Sequence, residues 1–166
     1  YKLERPKPFY IECNPKTILD DIVCLFNEMV TKEKSKNIHG LGFAFQRSTF
    51  LFWEKSTCLP LTPAISWQDS RATVILDRFK RHEGEVWEIT GAPLSAHFGG
   101  PKFYHMVQNN KTLKERTKNG EVYFGPLSAF IVHAITGQAA IDESIAGRTL
   151  MYDPVSYTHL RAHETN

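Results

Sequence analysis

Apolar residues return at helical spacing through Ile18, Ile22, Leu25, Phe26, Met29 and Val30, directly after Asn14-Pro15. An asparagine followed by a proline is a strong helix start: the side chain caps free N–H groups, and the residue lacking an N–H falls where none is needed. The pattern predicts a helix to about Thr31, with the basic run Lys32 to Lys36 solvating its C-terminal end. The period then shortens. Ile38 to Gln46 predicts a buried strand whose segment Leu41 to Phe45 leads to the polar cluster Gln46-Arg47-Ser48-Thr49. Thr49 to Trp53 predicts its partner, with a turn at Glu54 to Thr57 and a return through Pro63-Ala64-Ile65-Ser66 to Trp67 and Arg71.

Helical spacing resumes after Ser70, with Ala72, Ile75, Leu76 and Phe79 on one face. Glu85 to Ile89 predicts a short turn before Gly91, and Pro101 opens a helix carrying Phe103, Met106 and Val107. Asn119-Gly120 closes the next helix, Glu121 to Phe124 predicts a short strand, and Pro126 to Ile135 a further helix stopped by Gly137. Strands and helices alternating after an early hairpin predict an α/β domain, a mixed sheet flanked by helices. At its hairpin two strand ends bring Arg47 and Trp67 together among hydroxyl, amide and carboxylate groups. That mixture suits a polyhydroxylated small molecule: the ring supplies an apolar wall, and the polar groups replace lost water.

These residues also carry a family resemblance. QRST, FWEK and PAISWQDSRA, at residues 46–49, 52–55 and 63–72, resemble the QRxTxxxWxxxTGxPxxxAIxWQDxR stretch of the FGGY carbohydrate kinases, the glycerol and xylulose kinase family. Arg5 to Pro15 (RPKPFYIECNP) resembles the family's PKPGWVEHDP, and Gly91 to Lys102 (GAPLSAHFGGPK) its TGLPLxPYFSAxK. Phe124-Gly125 and Ile141 to Thr149 (IDESIAGRT) resemble FGTxDxWLxxxLTG and TDxSNASRT. Each match is short, but four in the right order span nearly all of residues 1–154. The resemblance implies the ribonuclease-H-like fold of the actin, hexokinase and Hsp70 superfamily, here as an incomplete domain. Residues 1–154 would be part of the N-terminal, substrate-binding domain. The family's DxGTT phosphate loop would precede Tyr1, and its catalytic aspartate and adenine lobe would follow Pro154. Val155 to Thr165 (VSYTHLRAHET) resembles an adapter-derived read-through, so 155–166 is read as a non-native tail. His159 and His163 in that tail are four apart but are read as an accidental pair, not as a zinc site.

Site residues follow from the resemblance, each beside a plainer role. Arg47 occupies the place of an arginine against substrate hydroxyls, where a planar guanidinium can hold two oxygens at once; otherwise it is a surface arginine after a strand. Gln46 and Ser48 flank it. Ser48 stands where glycerol kinases carry a glutamate, which counts against glycerol itself. Trp67 matches a tryptophan on the substrate's carbon face, or is a core aromatic. Asp69 binds substrate or, the better reading, caps the helix after it. His97 aligns with a tyrosine that reaches a substrate hydroxyl, and Phe98 shapes the same wall. Trp53 and Glu54 are expected to stabilise the hairpin. Asp142, Arg148 and Thr149 are expected to tie a strand end to a neighbouring loop.

Composition changes this picture little. The formal charge of +2 and scattered basic residues give no argument for nucleic acid, and no apolar run approaches membrane-spanning length. Three cysteines without a CxxC fit reduced thiols in a cytoplasmic protein. No catalytic or metal residue is expected within the chain. The resemblance implies a parent enzyme that uses ATP and Mg2+ to phosphorylate a sugar or polyol, and leaves room for a homo-oligomer. The chain alone is expected to lack kinase activity and to bind sugar at most weakly. The alternative is a catalytically dead family member acting as sugar sensor or scaffold.

Overall fold

The computed structural model describes residues 1–30, 35–156 and 158–159. Four strands, Glu12–Cys13 (β1), Phe50–Glu54 (β2), Ala64–Ile65 (β3) and Val122–Pro126 (β4), form one sheet in the order β1-β3-β2-β4. Every pair in it is antiparallel, and β2–β4 is the longest ladder, running from Phe50 opposite Pro126 to Glu54 opposite Val122. Tyr152–Asp153 (β5) pairs separately with Thr158–His159 (β6). The helices are Pro15–Met29 (α1), Glu83–Thr90 (α2), Gly99–Asn109 (α3), Lys111–Lys118 (α4), Leu127–Thr136 (α5) and Glu143–Ala146 (α6).

The apolar run of β2 is continuous because both faces of the strand are covered. Leu51 and Trp53 point into one core with Cys13, Ile18 of α1 and Leu127, Phe130 and Ile131 of α5. Phe52 points into the other, with Val107 of α3, Leu113 of α4 and Val122. Trp53 is a core residue whose indole N–H donates to His133 Nδ1 of α5 at 2.9 Å, while Glu54 accepts the Thr57 hydroxyl in the turn after β2 and pairs with Arg116 of α4. A third cluster, Ala72, Ile75 and Ala96 with Leu76, Phe79 and Tyr104, fastens the segment after Ser70.

Local signals explain most elements. Asn14 Oδ1 accepts from Lys16 N (2.9 Å) and Thr17 N (3.4 Å), the expected cap with Pro15 behind it. Gly137 ends α5 in the left-handed region, φ 76°, where glycine alone is unstrained. Three expectations are corrected. Ile38 to Gln46 is not a strand: it joins none of the described ladders, Gly40 and Gly42 have open space around them, and Ile38, Leu41 and Phe43 are exposed. A strand needs a ladder partner, and two glycines in five residues weaken the tendency to seek one. The segment after Ser70 presents the expected face but as a 3-10 helix, Arg71–Arg78, through three consecutive β-branched residues, Thr73, Val74 and Ile75. The short turn at Glu85 to Ile89 is a whole helix, α2. Thr31 to Lys34, and with them most of the basic run, lie outside the described residues, as does His163.

Candidate functional site

The ends of β2 and β3 meet at one corner of the sheet, and hydrogen bonds tie them together there. Gln46 Nε2 donates to Thr49 Oγ1 at 3.0 Å, and the same oxygen accepts Trp67 N at 3.3 Å. Gln46 Oε1 accepts the Tyr1 hydroxyl at 2.8 Å. Lys102, from the first turn of α3, donates to the carbonyls of Ser48 (2.9 Å) and Ser66 (2.8 Å). His97 Nδ1 lies 3.0 Å from the Trp67 carbonyl, and its ring meets the indole edge-to-face at 6.2 Å.

Arg47 and Trp67 are the side chains this corner turns outward. Arg47 is exposed, and its guanidinium has no hydrogen bond or ion pair among the described residues. Trp67 is 44% exposed, a large apolar surface with polar neighbours. A carbonyl can only accept, so His97 Nδ1 carries a proton and Nε2 is an acceptor in the neutral ring. Burial, then the charges of Lys102 and Arg148, push His97 below the ordinary imidazole range, against the pull of the Trp67 carbonyl. The neutral ring with an open Nε2 can take a hydroxyl proton in a hydrogen bond. Phe98, buried, packs edge-to-face with His97, ring centres 5.4 Å apart, and the Arg148 guanidinium lies 5.6 Å from its ring centre.

Two of the predicted residues face inward, and for Asp69 the capping reading, not ligand contact, fits. Asp69 is buried and fully engaged: Oδ2 accepts Ile11 N at 2.6 Å, Oδ1 accepts Arg71 N at 3.0 Å, and both oxygens hold the Arg71 guanidinium. Arg71 also bonds Glu12 at 2.6 Å and lies over the Tyr10 ring at 3.8 Å. The carboxylate binds the start of the 3-10 helix to the strand before α1. Ser48 is buried in the left-handed region, φ 65°, and its hydroxyl has no partner among the described residues.

Lys102 is the residue the sequence reading missed. It has no solvent exposure, and burial pushes its ammonium down to about 7, with Asp69 opposing and Arg71 reinforcing the shift. A signal was present: a cation in the first turn of a helix works against the helix dipole, so Gly-Gly-Pro-Lys calls for a partner elsewhere. Arg148 and Thr149 do form a tie, but to the start of α3 rather than from a strand end, through backbone bonds from Gly99 N to Arg148 O (3.0 Å) and Gly100 N to Thr149 O (2.6 Å). Asp142 caps α6, accepting Ile145 N at 3.1 Å. Among the described residues no group of three or more His, Cys, Asp or Glu could hold a metal ion.

The sequence matches the N-terminal domain of the FGGY family of carbohydrate kinases over residues 1–158. It is 32% identical over 157 residues to a glycerol kinase of Rhizobium rhizogenes, covering 91% of this chain and 32% of that protein. It is also 32% identical over 154 residues to a glycerol kinase of Bacillus mycoides. The fold superposes on the crystal structure of Plasmodium falciparum glycerol kinase with ADP at a TM-score of 0.88 and 24% identity, covering 96% of this chain and 33% of that one. A xylulose kinase of Rhodospirillum rubrum superposes at 0.79 with 16% identity, covering 95% of this chain and 33% of that one. The chain thus spans about a third of the length of these relatives. On the residues matched in order from one end to the other, it belongs to the FGGY family of carbohydrate kinases.

Proposed function

We propose that the whole protein is an ATP-dependent sugar or polyol kinase, and that this corner of the sheet forms part of its acceptor site. One observation carries the reading: Thr49 and Lys102 bond the two strand ends together, while Arg47 and Trp67 stay uncommitted beside them. In this reading Arg47 donates to two neighbouring hydroxyls, Trp67 covers the carbon face, and His97 Nε2 accepts one hydroxyl proton. Phe98 backs the histidine. Gln46 and Asp69 contribute by holding the two ends rather than by reaching out. Ser48 contributes through its backbone, which turns Arg47 outward.

The acceptor would be a sugar or polyol hydroxyl receiving the γ-phosphoryl group of ATP, a transfer that depends on positioning and on stabilising charge. The residues described here do not fit a triphosphate or Mg2+. The glycine pair at the start of α3 gives its N–H groups to Arg148 and Thr149, and among the described residues no group of three or more His, Cys, Asp or Glu gathers. Nucleotide and metal therefore fall, in this proposal, to other parts of the protein. Three free thiols suit a reducing, cytoplasmic setting, and no described helix is long and apolar enough to cross a membrane.

An ATP-coupled assay of the full-length protein against glycerol, D-xylulose and D-gluconate tests the reading. Phosphorylation of at least one acceptor is expected, with Arg47→Ala lowering kcat/KM about 10-fold or more, the scale of a lost charged hydrogen bond of about 1.5–3 kcal/mol, and Trp67→Ala lowering it through the lost apolar wall. Turnover unaffected by both substitutions would remove the acceptor site from this corner. Sugar binding without turnover would mark a sensor instead.

A further inference from the structure

Lys102 is a fully buried amine whose hydrogen bonds both go to backbone carbonyls, and those carbonyls belong to the two strand ends of the site. Two carbonyl oxygens converging on one point repel each other unless a donor lies between them. The Ser48 carbonyl comes from a residue at φ 65°, a conformation in which a side chain is strained and which persists only when its surroundings over-determine it. The serine's own hydroxyl does not help, since it is buried without a partner. The Ser48 carbonyl belongs to the peptide that carries the Thr49 N–H, and the Ser66 carbonyl to the peptide that carries the Trp67 N–H. Fixing these two peptides fixes Ser48 and Thr49 at one strand end and Ser66 and Trp67 at the other, and Arg47 leads directly into the left-handed Ser48 backbone.

We propose that Lys102 is the positioning residue of this corner: by holding the Ser48 and Ser66 carbonyls together it fixes the left-handed Ser48 backbone and sets the directions of Arg47 and Trp67. The ligand part of the claim rests on the acceptor-site reading; the geometric part does not. Around the amine stand Asp69 and Arg71 from the 3-10 side, His97 from the loop before α3, and the Phe50 ring at 5.7 Å from β2. Asp69 favours the ammonium, while Arg71 and burial favour the neutral amine. A neutral amine keeps two N–H donors but loses charge assistance, so the clamp weakens on deprotonation without vanishing.

The test is NMR on the 166-residue chain. In the wild type, Lys102 13Cε and the amide signals of Thr49 and Trp67 are expected to titrate with one shared midpoint, near neutrality and well below ordinary lysine. Lys102→Met, an unbranched apolar replacement, is expected to shift the signals of residues 47–49 and 66–68 while Phe52 and Phe124 stay in place. It is also expected to weaken binding of whichever of glycerol, D-xylulose or D-gluconate the wild type binds by at least 10-fold. Adding Ser48→Gly, which accepts the left-handed backbone without strain, is expected to recover at least threefold of that loss. Flat Thr49 and Trp67 signals while Lys102 titrates would overturn the proposal, and so would a Lys102→Met chain with unchanged signals and affinity. If that variant fails to fold, the wild-type titration decides alone. If the wild type binds none of the three compounds but the titration and the Lys102→Met shifts stand, the acceptor reading fails and the positioning role holds.

Discussion

A lysine and an aspartate, Lys102 and Asp69, hold this corner of the molecule from inside. Asp69 was legible as a choice between ligand contact and helix cap, because a short acid before a helical run offers both. What the sequence concealed was its second set of partners, Ile11 N and Arg71, brought from far along the chain by β1 pairing with β3. Lys102 was concealed further, since the apolar spacing of Phe103, Met106 and Val107 reads as the core face of α3 and gives a lysine beside it no role. Asp69→Asn is expected to destabilise the chain by about 3–5 kcal/mol in urea unfolding, because it leaves the buried Arg71 guanidinium short of a counter-charge. A loss below about 1 kcal/mol would mean that Glu12 alone suffices. Lys102 also gives a pH signature. Between pH 7 and 9 the unfolded lysine stays protonated while the buried one, at about 7, progressively releases its proton. The unfolded state then holds more protons, so stability should rise with pH over that window, and Lys102→Met should flatten the rise. The window stops at 9 because burial holds the Cys13 thiol up at about 11, so above 9 the folded state retains a proton the unfolded chain releases, which offsets the gain from Lys102.

Elements were read best where a local signal fixes both ends. Asn14-Pro15 starts α1, Gly137 stops α5, and the turn after Glu54 returns the chain to Ala64–Ile65. Ile38 to Gln46 was misread because apolar composition shows an appetite for burial but not whether a partner strand stands alongside. The start of α3 shows a tighter constraint. A Cβ at Gly99 would lie 2.9 Å from the Phe50 ring and 3.0 Å from Thr149 Cα, and the second of these is backbone that cannot step aside. Gly99→Ala is expected to cost about 1–3 kcal/mol in urea unfolding and to disturb the 148–149 tie seen by hydrogen exchange, whereas Gly84→Ala, with open space around it, should stabilise or leave the chain unchanged. Equal effects of the two would contradict the packing described.

On the scale of the molecule, the family was legible because its motifs lie in strand ends and turns that stay in order along the chain. Specificity was not, because Ser48 turned inward and the groups that face outward are few. One side of α1 carries exposed apolar residues at helical spacing, Leu25, Phe26 and Met29. Such an apolar stripe should drive concentration-dependent association in sedimentation, and Leu25→Glu with Met29→Glu should reduce it, while unchanged association would place the sticky surface elsewhere. The claim that joins all three scales is that the corner holding Arg47, Trp67 and His97 receives a polyhydroxylated ligand. Titrating the chain with glycerol, D-xylulose and D-gluconate while following the Arg47 Nε, Trp67 indole and His97 ring signals by NMR tests it most directly. At least one of the three compounds is expected to shift all three signals together and saturably in the millimolar range. Signals that stay fixed at these residues with every compound would contradict it.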